Sequence, residues 1–285
     1  MKISGFTLVR NGMKYSYPFM EAIYSILPLC DELIVNVGDS NDGTLDIVKS
    51  ISNEKIKIIE RMWDMSLRKG GKLLSVETNQ ALAHCTGDWC IYIQADEVVH
   101  EKYYPVVTRA LQKYLADKKV EGLKFGYKHF YGTYEYYQDN FRKWYRREVR
   151  VIRNNSNIVS WDDAMGFKHK DGTEIKSVPI KAEIYHYGWV RPPAKMSLKR
   201  TDFHKLYYSD EQIKTVALPP VGSFTDLGNL KRFTDSHPKI MLERIANSDW
   251  NFDSKIDEQP PDWIRKILIF LHPVTKRIKK FLSHR

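Results

Sequence analysis

Four short apolar runs alternate with helix-spaced segments over the first hundred residues, a pattern that calls for a parallel sheet covered by helices. Ile3 to Val9 reads as a buried strand. Tyr17 to Leu29 carries Phe19, Ile23, Ile26 and Leu27 at helical spacing and breaks near Pro28. Glu32 to Val37 (ELIVNV) is the second strand, and Gly38 to Thr44 (GDSNDGT) is a turn leading into a helix over Leu45 to Ile51. Lys55 to Glu60 predicts a third strand, Leu73 to Cys85 another helix, and Trp89 to Ile93 (WCIYI) a fourth strand that ends on Gln94-Ala95-Asp96-Glu97.

Open parallel sheets take their ligands beyond the carboxyl ends of their strands. Two acidic turns fall there, Asp39 and Asp42 after the second strand and Asp96 and Glu97 after the fourth. Such residues also serve as turn formers and helix caps, and Glu97 could cap the helix that follows. The second half is less regular. It shows a helix over Tyr103 to Leu115, a strand over Gly122 to Tyr127, and an aromatic and basic stretch from His129 to Arg153 with a strand at Glu148 to Ile152. A turn at Trp161 to Phe167 and a strand around Ile184, which carries His186-Tyr187-Gly188-Trp189, lead to Pro192-Pro193. Polar helical segments follow at Met196 to Tyr208 and Lys239 to Asn247, with a Pro and Gly rich stretch between them.

Composition narrows the possibilities. With 285 residues, 42% hydrophobic and 28% charged, disorder, collagen and coiled coil are excluded, and one large domain with an appendage is expected. The three cysteines form neither an even disulfide set nor a zinc pattern, which suits a reducing compartment. The opening residues lack the apolar core of a signal peptide, and no run approaches the roughly 18 apolar residues of a bilayer span, so the expectation is a cytoplasmic or peripheral protein.

The formal charge of +10 is unevenly placed. Residues 263 to 285 hold seven basic side chains and no acidic one, and the remaining 262 hold 38 basic against 35 acidic, a net of +3. A nearly neutral body argues against duplex nucleic acid as a partner. In the tail, Ile264, Ile267, Leu268 and Leu271, then Val274, Ile278, Phe281 and Leu282, fall on helical faces with the cations elsewhere, an interfacial pattern. The expected partner is the anionic inner face of the cell membrane. The alternative is a helix packed on the domain with a solvated basic side.

An acidic turn at the end of a buried strand, met by a histidine from a later strand, is a site for Mn²⁺ or Mg²⁺. Asp96 is the natural carboxylate ligand. His186 is the natural imidazole, because its flanking aromatics and glycine could hold the ring near a closely approaching backbone. The alternative for His186 is a satisfied core residue.

The order of strand, helix, strand ending in DSNDGT, a helix with Thr78-Asn79-Gln80-Ala81, and then GDWCIYIQADE resembles the GT-A fold, family 2 nucleotide-sugar glycosyltransferases. The likeness is strongest over residues 3 to 100 and continues through Arg146 to Arg150, the Asp162-Asp163-Ala164 turn and His186 to Arg191. It implies an α/β GT-A fold: a mixed, mainly parallel sheet flanked by helices. A catalytic domain over 1–205 would divide into a nucleotide-binding half, 1–100, and an acceptor half, 101–205. A helical accessory region over 206–262 and the basic tail over 263–285 would follow.

The resemblance also assigns roles. Arg10, Asn11, Asp39 and Asp42 would receive the nucleobase and ribose. QADE would stand for the D-x-D metal motif, with Gln94 in place of the first carboxylate, where it can hydrogen-bond a ribose or a metal-bound water but supplies no charge. The family's paired aspartates correspond to Val37 and Gly38, and the acid has moved to Asp39. Asp163, with Asp162 as its neighbour and alternative, would be the base that deprotonates the acceptor in an inverting reaction. For the diphosphate, cations are expected from Lys72, Arg146, Arg147, Arg150 and Arg191, and Trp144, Tyr145 and Trp189 could stack on sugars. The implied function is sugar transfer from a nucleotide diphosphate to a glycan or lipid-linked acceptor in cell-surface polysaccharide assembly. A nucleotidyltransferase and a basic membrane or nucleic-acid adaptor are the rivals.

Overall fold

A computed structural model of the chain describes residues 1–139, 145–208, 211–212 and 230–254. The first half follows the pattern read from the sequence: β1 (Ile3–Val9), α1 (Phe19–Ile26), β2 (Glu32–Gly38), α2 (Thr44–Lys49), β3 (Ile56–Arg61), α3 (Lys72–Leu82) and β4 (Trp89–Tyr92). β1 pairs in parallel with both β2 and β4, and β2 pairs in parallel with β3. β2 is buried along its whole length, which is why it reads as a continuous apolar run rather than an alternating one. Phe19, Ile23 and Ile26 of α1 join Leu33, Val35, Trp89 and Ile91 in the core, and α3 packs against β1 and β2.

The second half completes a nine-stranded sheet. It contains β5 (Glu97–Val99), α4 (Tyr104–Lys113), β6 (Gly122–Gln138), β7 (Arg147–Arg153), β8 (Ile158–Ser160), β9 (Phe167–His169), β10 (Ser177–Val190), α5 (Pro193–His204) and β11 (Leu230–Arg232). The order across the sheet is β3-β2-β1-β4-β7-β6-β10-β5, with β11 added to β6, and β8 and β9 form a separate pair. The GT-A expectation of a mixed, mainly parallel sheet flanked by helices is met.

Three differences from the sequence reading have plain causes. β6 does not stop at Tyr127 but runs on through the aromatic stretch, where Phe130, Tyr131, Tyr134 and Tyr136 are all buried. With both faces packed by rings, no period of two is left to see. Pro193 does not close the preceding block. It opens α5, the helix position at which a missing N–H costs nothing. Within 206–262, read as helical, the strand β11 pairs antiparallel with the end of β6.

A ring cluster between β6, β10 and the segment after β11 holds His237. Its Nε2–H donates to the Tyr134 carbonyl at 3.1 Å, so its Nδ1 accepts from the Tyr187 hydroxyl at 2.9 Å and the ring is neutral. Burial lowers its pKa to about 4. Unfolded histidine titrates near 6.5, so below that pH the unfolded chain takes up a proton that the folded chain refuses. Stability is expected to be unaffected by this group above pH 6.5 and to fall by ~2 kcal/mol as pH drops from 6.5 to 4, allowing for partial exposure. Urea midpoints across that range should show a shallower slope in His237→Gln than in the parent; equal slopes would reject the assignment.

Candidate functional site

The sheet register assembles the centre. Asp96 immediately precedes β5, whose Glu97 lies opposite His186 of β10, and His186 in turn lies opposite His129 of β6. Three residues far apart in sequence therefore meet at the carboxyl end of β4. Asp96 and His186 are 9% and 8% exposed, with His186 Nε2 3.8 Å from Asp96 Oδ1.

The hydrogen bonds determine how His186 presents itself. His129 Nε2 lies 2.8 Å from the Tyr145 carbonyl, which can only accept, so the hydrogen is on Nε2. Burial, reinforced by His186, holds the His129 pKa down at about 3, and the neutral ring offers its Nδ1 as an acceptor. His186 Nδ1, 3.0 Å away, must donate to it. Burial likewise lowers the His186 pKa, so that ring is neutral and its Nε2 lone pair faces the Asp96 carboxylate. Two electron-pair donors turned toward one another are poor mutual partners but a fitting pair of cation ligands, and His129 is the outer group that fixes the ring.

Gly188 keeps that space open. A Cβ on it would lie 2.5 Å from His186 Nε2 and 2.8 Å from Asp96 Oδ2. The glycine sits where the β6–β10 register slips between His186 and Trp189, a bulge that swings its carbonyl toward two cations. Arg191 Nη2 donates to it at 2.9 Å and Lys199 Nζ at 3.0 Å. Lys199 Nζ also lies 3.2 Å from Asp96 Oδ2. Burial pushes the Asp96 carboxyl up, but the Lys199 and Arg191 cations outweigh it and hold the pKa at about 2. Burial and Arg191 pull Lys199 down to about 8. An oxygen and an imidazole nitrogen beside Gly188 are a donor set of the kind that suits Mn²⁺ or Mg²⁺. Among the described residues no group of three His, Cys, Asp or Glu converges, so donor oxygens and water would supply the rest of the shell.

Asp163 lies on the turn between β8 and β9, and its two neighbours, Asp162 and Ala164, have φ of 46° and 62°. Strain of this kind in non-glycine residues persists only where the surroundings enforce it. The enforcement is visible. Asn79 on α3 exchanges two hydrogen bonds with the Ser160 backbone, at 2.8 and 2.9 Å. Gln94 Nε2 donates to the Ala164 carbonyl at 3.2 Å, and Arg150 Nη1 to that of Met165 at 2.8 Å. Gln94 thereby links the acidic turn of β4 to the Asp163 turn. Asp163 itself accepts from the Tyr207 hydroxyl at 3.1 Å, while Asp162 is exposed.

The remaining predicted residues divide. Arg10 donates through Nη2 to Asp39 Oδ2 at 2.7 Å and lies over the Trp63 ring, which packs on Gly38 at the end of β2. Asn11, in the left-handed region at φ 53°, donates its N–H to Ser40 Oγ. The Asp42 oxygens receive the Lys14 N–H and both the N–H and hydroxyl of Thr44, the role of a turn former ahead of α2. Lys72 is exposed at the first turn of α3, behind Gly70 and Gly71, both at positive φ; a Cβ on Gly71 would lie 2.6 Å from Asp163 Cβ.

Arg191 is fully buried. It holds the Tyr15 and Gly188 carbonyls and lies over the Tyr17 ring, so it shapes the floor of the site. Arg147 and Arg146 are exposed at the start of β7. Arg150, expected near the phosphates, is corrected. It is 1% exposed and donates through Nε and Nη2 to Glu97, both at 2.8 Å, so Glu97 is an ion-pair partner and not a helix cap. Of the aromatic candidates, Trp189 stacks on Tyr131 and Tyr145 packs on His129, while Trp144 lies outside the described residues. His129, Lys199 and Tyr207 carry no local signal in the sequence, since each acts through a partner more than 40 positions away.

The family model described as glycosyl transferase family 2 matches residues 19–172, more than half of the chain. Among solved structures, the chain is similar to S. aureus TarS, at 16% identity and a TM-score of 0.43 over 71% of this chain and 39% of that one. For S. aureus TarS 1–349 in complex with UDP, the values are 15%, 0.42, 72% and 65%. It is also similar to glucosyl-3-phosphoglycerate synthase from Mycobacterium tuberculosis in complex with Mn²⁺, UDP and phosphoglyceric acid, at 22% and 0.32 over 44% and 43%. The chain thus spans less than two thirds of the length of these structures. No curated protein matches it.

Proposed function

The chain belongs to glycosyl transferase family 2, and on that premise we propose that it moves a sugar from a nucleotide-diphosphate donor to a glycan or lipid-linked glycan, inverting the anomeric carbon. The context we propose is cell-surface polysaccharide assembly of the lipopolysaccharide, O-antigen or capsule type. The observation that carries the reading is the Asp96–His186 pair across Gly188, bridged through Gln94 to a strained turn bearing Asp163.

In this reading Asp96 and His186 would hold a Mn²⁺ or Mg²⁺ ion, which when bound offsets the charge of the departing diphosphate. Arg10, Asn11 and Asp39 line the end of β2 for the base and ribose, and Lys72 and Arg147 face the phosphates from solvent. Asp163 takes the acceptor hydroxyl proton as that oxygen bonds to the anomeric carbon and the bond from carbon to diphosphate oxygen breaks. Asp162 is the alternative base.

Thermal shift against a set of nucleotide sugars, with and without Mn²⁺, tests the proposal. One donor should raise the melting temperature more strongly with Mn²⁺ present, and with an acceptor glycan it should release nucleoside diphosphate. If no donor stabilises the protein, the proposal is rejected.

The acceptor class rests on the tail over 263–285, which lies outside the described residues. Among the described residues no helix is long and apolar enough to cross a membrane. We propose that the tail holds the protein at an anionic inner leaflet, with about 1 kcal/mol from each of its Lys and Arg residues. Removing residues 263–285 should abolish co-sedimentation with phosphatidylserine-containing liposomes at physiological salt. Undiminished co-sedimentation would refute the membrane role.

A further inference from the structure

The protein itself places a cation in this site. Lys199 comes from α5, outside the sheet that builds the site, and its ammonium lies between Asp96 Oδ2 at 3.2 Å and the Gly188 carbonyl at 3.0 Å. Gly188 is the residue whose missing side chain keeps the space beside His186 Nε2 and Asp96 Oδ2 open. Lys199 therefore uses the same carboxylate and borders the same opening that a divalent ion would use. Arg191, fully buried, donates to the same Gly188 carbonyl, and its Nε has no partner. A half-buried ammonium on Asp96 and a buried guanidinium on the adjoining Gly188 carbonyl thus lie beside one carboxylate, an excess of positive charge that an anion would offset.

The helix that carries Lys199, with the turn that follows it, is tied across the mouth of the site. Asp202 accepts from Lys14 Nζ at 2.7 Å and from the Tyr15 hydroxyl at 2.8 Å, both on the loop after β1. The Gly70 and Gly71 N–H groups donate to the Tyr207 and Leu206 carbonyls, and the Tyr207 hydroxyl reaches Asp163. One segment thereby engages the candidate metal ligand, the candidate base and the glycine pair beside Lys72.

We infer that Lys199 is a resident counter-ion that excludes a divalent cation from Asp96 until a diphosphate arrives to receive the ammonium. Lys199 and the metal are alternative partners of Asp96 in the ligand-free protein. They coexist only when the donor's diphosphate lies between them, with Lys199 and Arg191 turned to its oxygens. Metal loading then depends on donor loading, and Lys199 becomes a positioning residue for the leaving group. The inference rests on the proposed metal reading of Asp96 and His186.

The test is Mn²⁺ binding followed by the loss of the free-ion EPR signal, using the full chain, with UDP as the nucleotide probe and a protein-free nucleotide blank. Without nucleotide, Lys199→Met should bind Mn²⁺ at least ten-fold more tightly than the parent, and Lys199→Arg should behave like the parent. Adding UDP should bring the parent close to Lys199→Met. Lys199→Met keeps a side chain of similar length where the ammonium lies over the Tyr17 ring, and melting curves check its fold; Lys199→Gln makes the same comparison if it unfolds. Equal Mn²⁺ affinity of the parent and Lys199→Met without nucleotide would overturn the inference while leaving the metal reading intact. No Mn²⁺ retention by any variant, with or without UDP, would overturn the metal reading and this inference with it.

Discussion

Asp163→Asn is expected to lower turnover about 10³-fold, the scale of a lost general base, with donor affinity nearly unchanged. The substitution keeps the shape and the Tyr207 contact at 3.1 Å but removes the ability to take a proton. The turn should hold its place, because the bonds from Asn79, Gln94 and Arg150 reach backbone atoms of Ser160, Ala164 and Met165 and none reaches the Asp163 side chain. Steady-state release of nucleoside diphosphate gives kcat, and nucleotide titration gives donor affinity. The same measurement on Asp162→Asn separates the two carboxylates: the exposed Asp162 should lose less than about three-fold if its neighbour is the base. Full activity of Asp163→Asn would remove it from the mechanism, and a collapse confined to Asp162→Asn would transfer the role.

Asp96→Asn should reduce turnover by a comparable amount, about 10²- to 10³-fold, and here metal dependence should go with it. The amide keeps the volume but gives up the charge that Lys199 pairs with and Arg191 favours. A geometric counterpart tests the same site without altering any charge. Gly188→Ala would place a methyl 2.5 Å from His186 Nε2, closer than real carbon atoms approach, so it should block the opening while Asp96 and His186 remain. Both variants should lose the Mn²⁺-dependent part of the thermal shift with donor. If Gly188→Ala keeps that response in full, the opening between Asp96 and His186 is not where the ion sits.

Much of the fold was legible because it is written in local patterns. Burial on both faces makes β2 a continuous apolar run, and the spacing of Phe19, Ile23 and Ile26 marks one side of α1. Such signals need only neighbours within one or two turns of chain. The same holds for Asp96, which follows the last apolar run of the parallel set and so falls where open sheets bind ligands. The aromatic stretch of β6 was opaque for the converse reason: a strand packed with rings on both faces has no alternation to read.

Charge was the least readable property. Arg146, Arg147, Arg150 and Arg191 look alike in the sequence, yet two are exposed, one is locked to Glu97 and one lies under Gly188. The charge on an arginine says nothing about its partner, and the partner decides whether the guanidinium is free to meet a phosphate. Asp42 and Asp96 are likewise both acids at strand ends, but the oxygens of the first are taken up by Lys14 and Thr44 while the second faces His186.

By itself, then, the sequence determined the strand and helix succession, the acidic ends of the strands and the turn that carries Asp163, all of them short-range. The tertiary structure alone decided which side chains share the site. The β6–β10 register sets His129 against His186 across 57 positions, and the docking of α5 brings Lys199 to Asp96 across 103. The reason is that strand pairing and helix docking are settled by the burial of whole faces. A one-residue change of register would turn His186 to the other side of the sheet and leave every local pattern as it was.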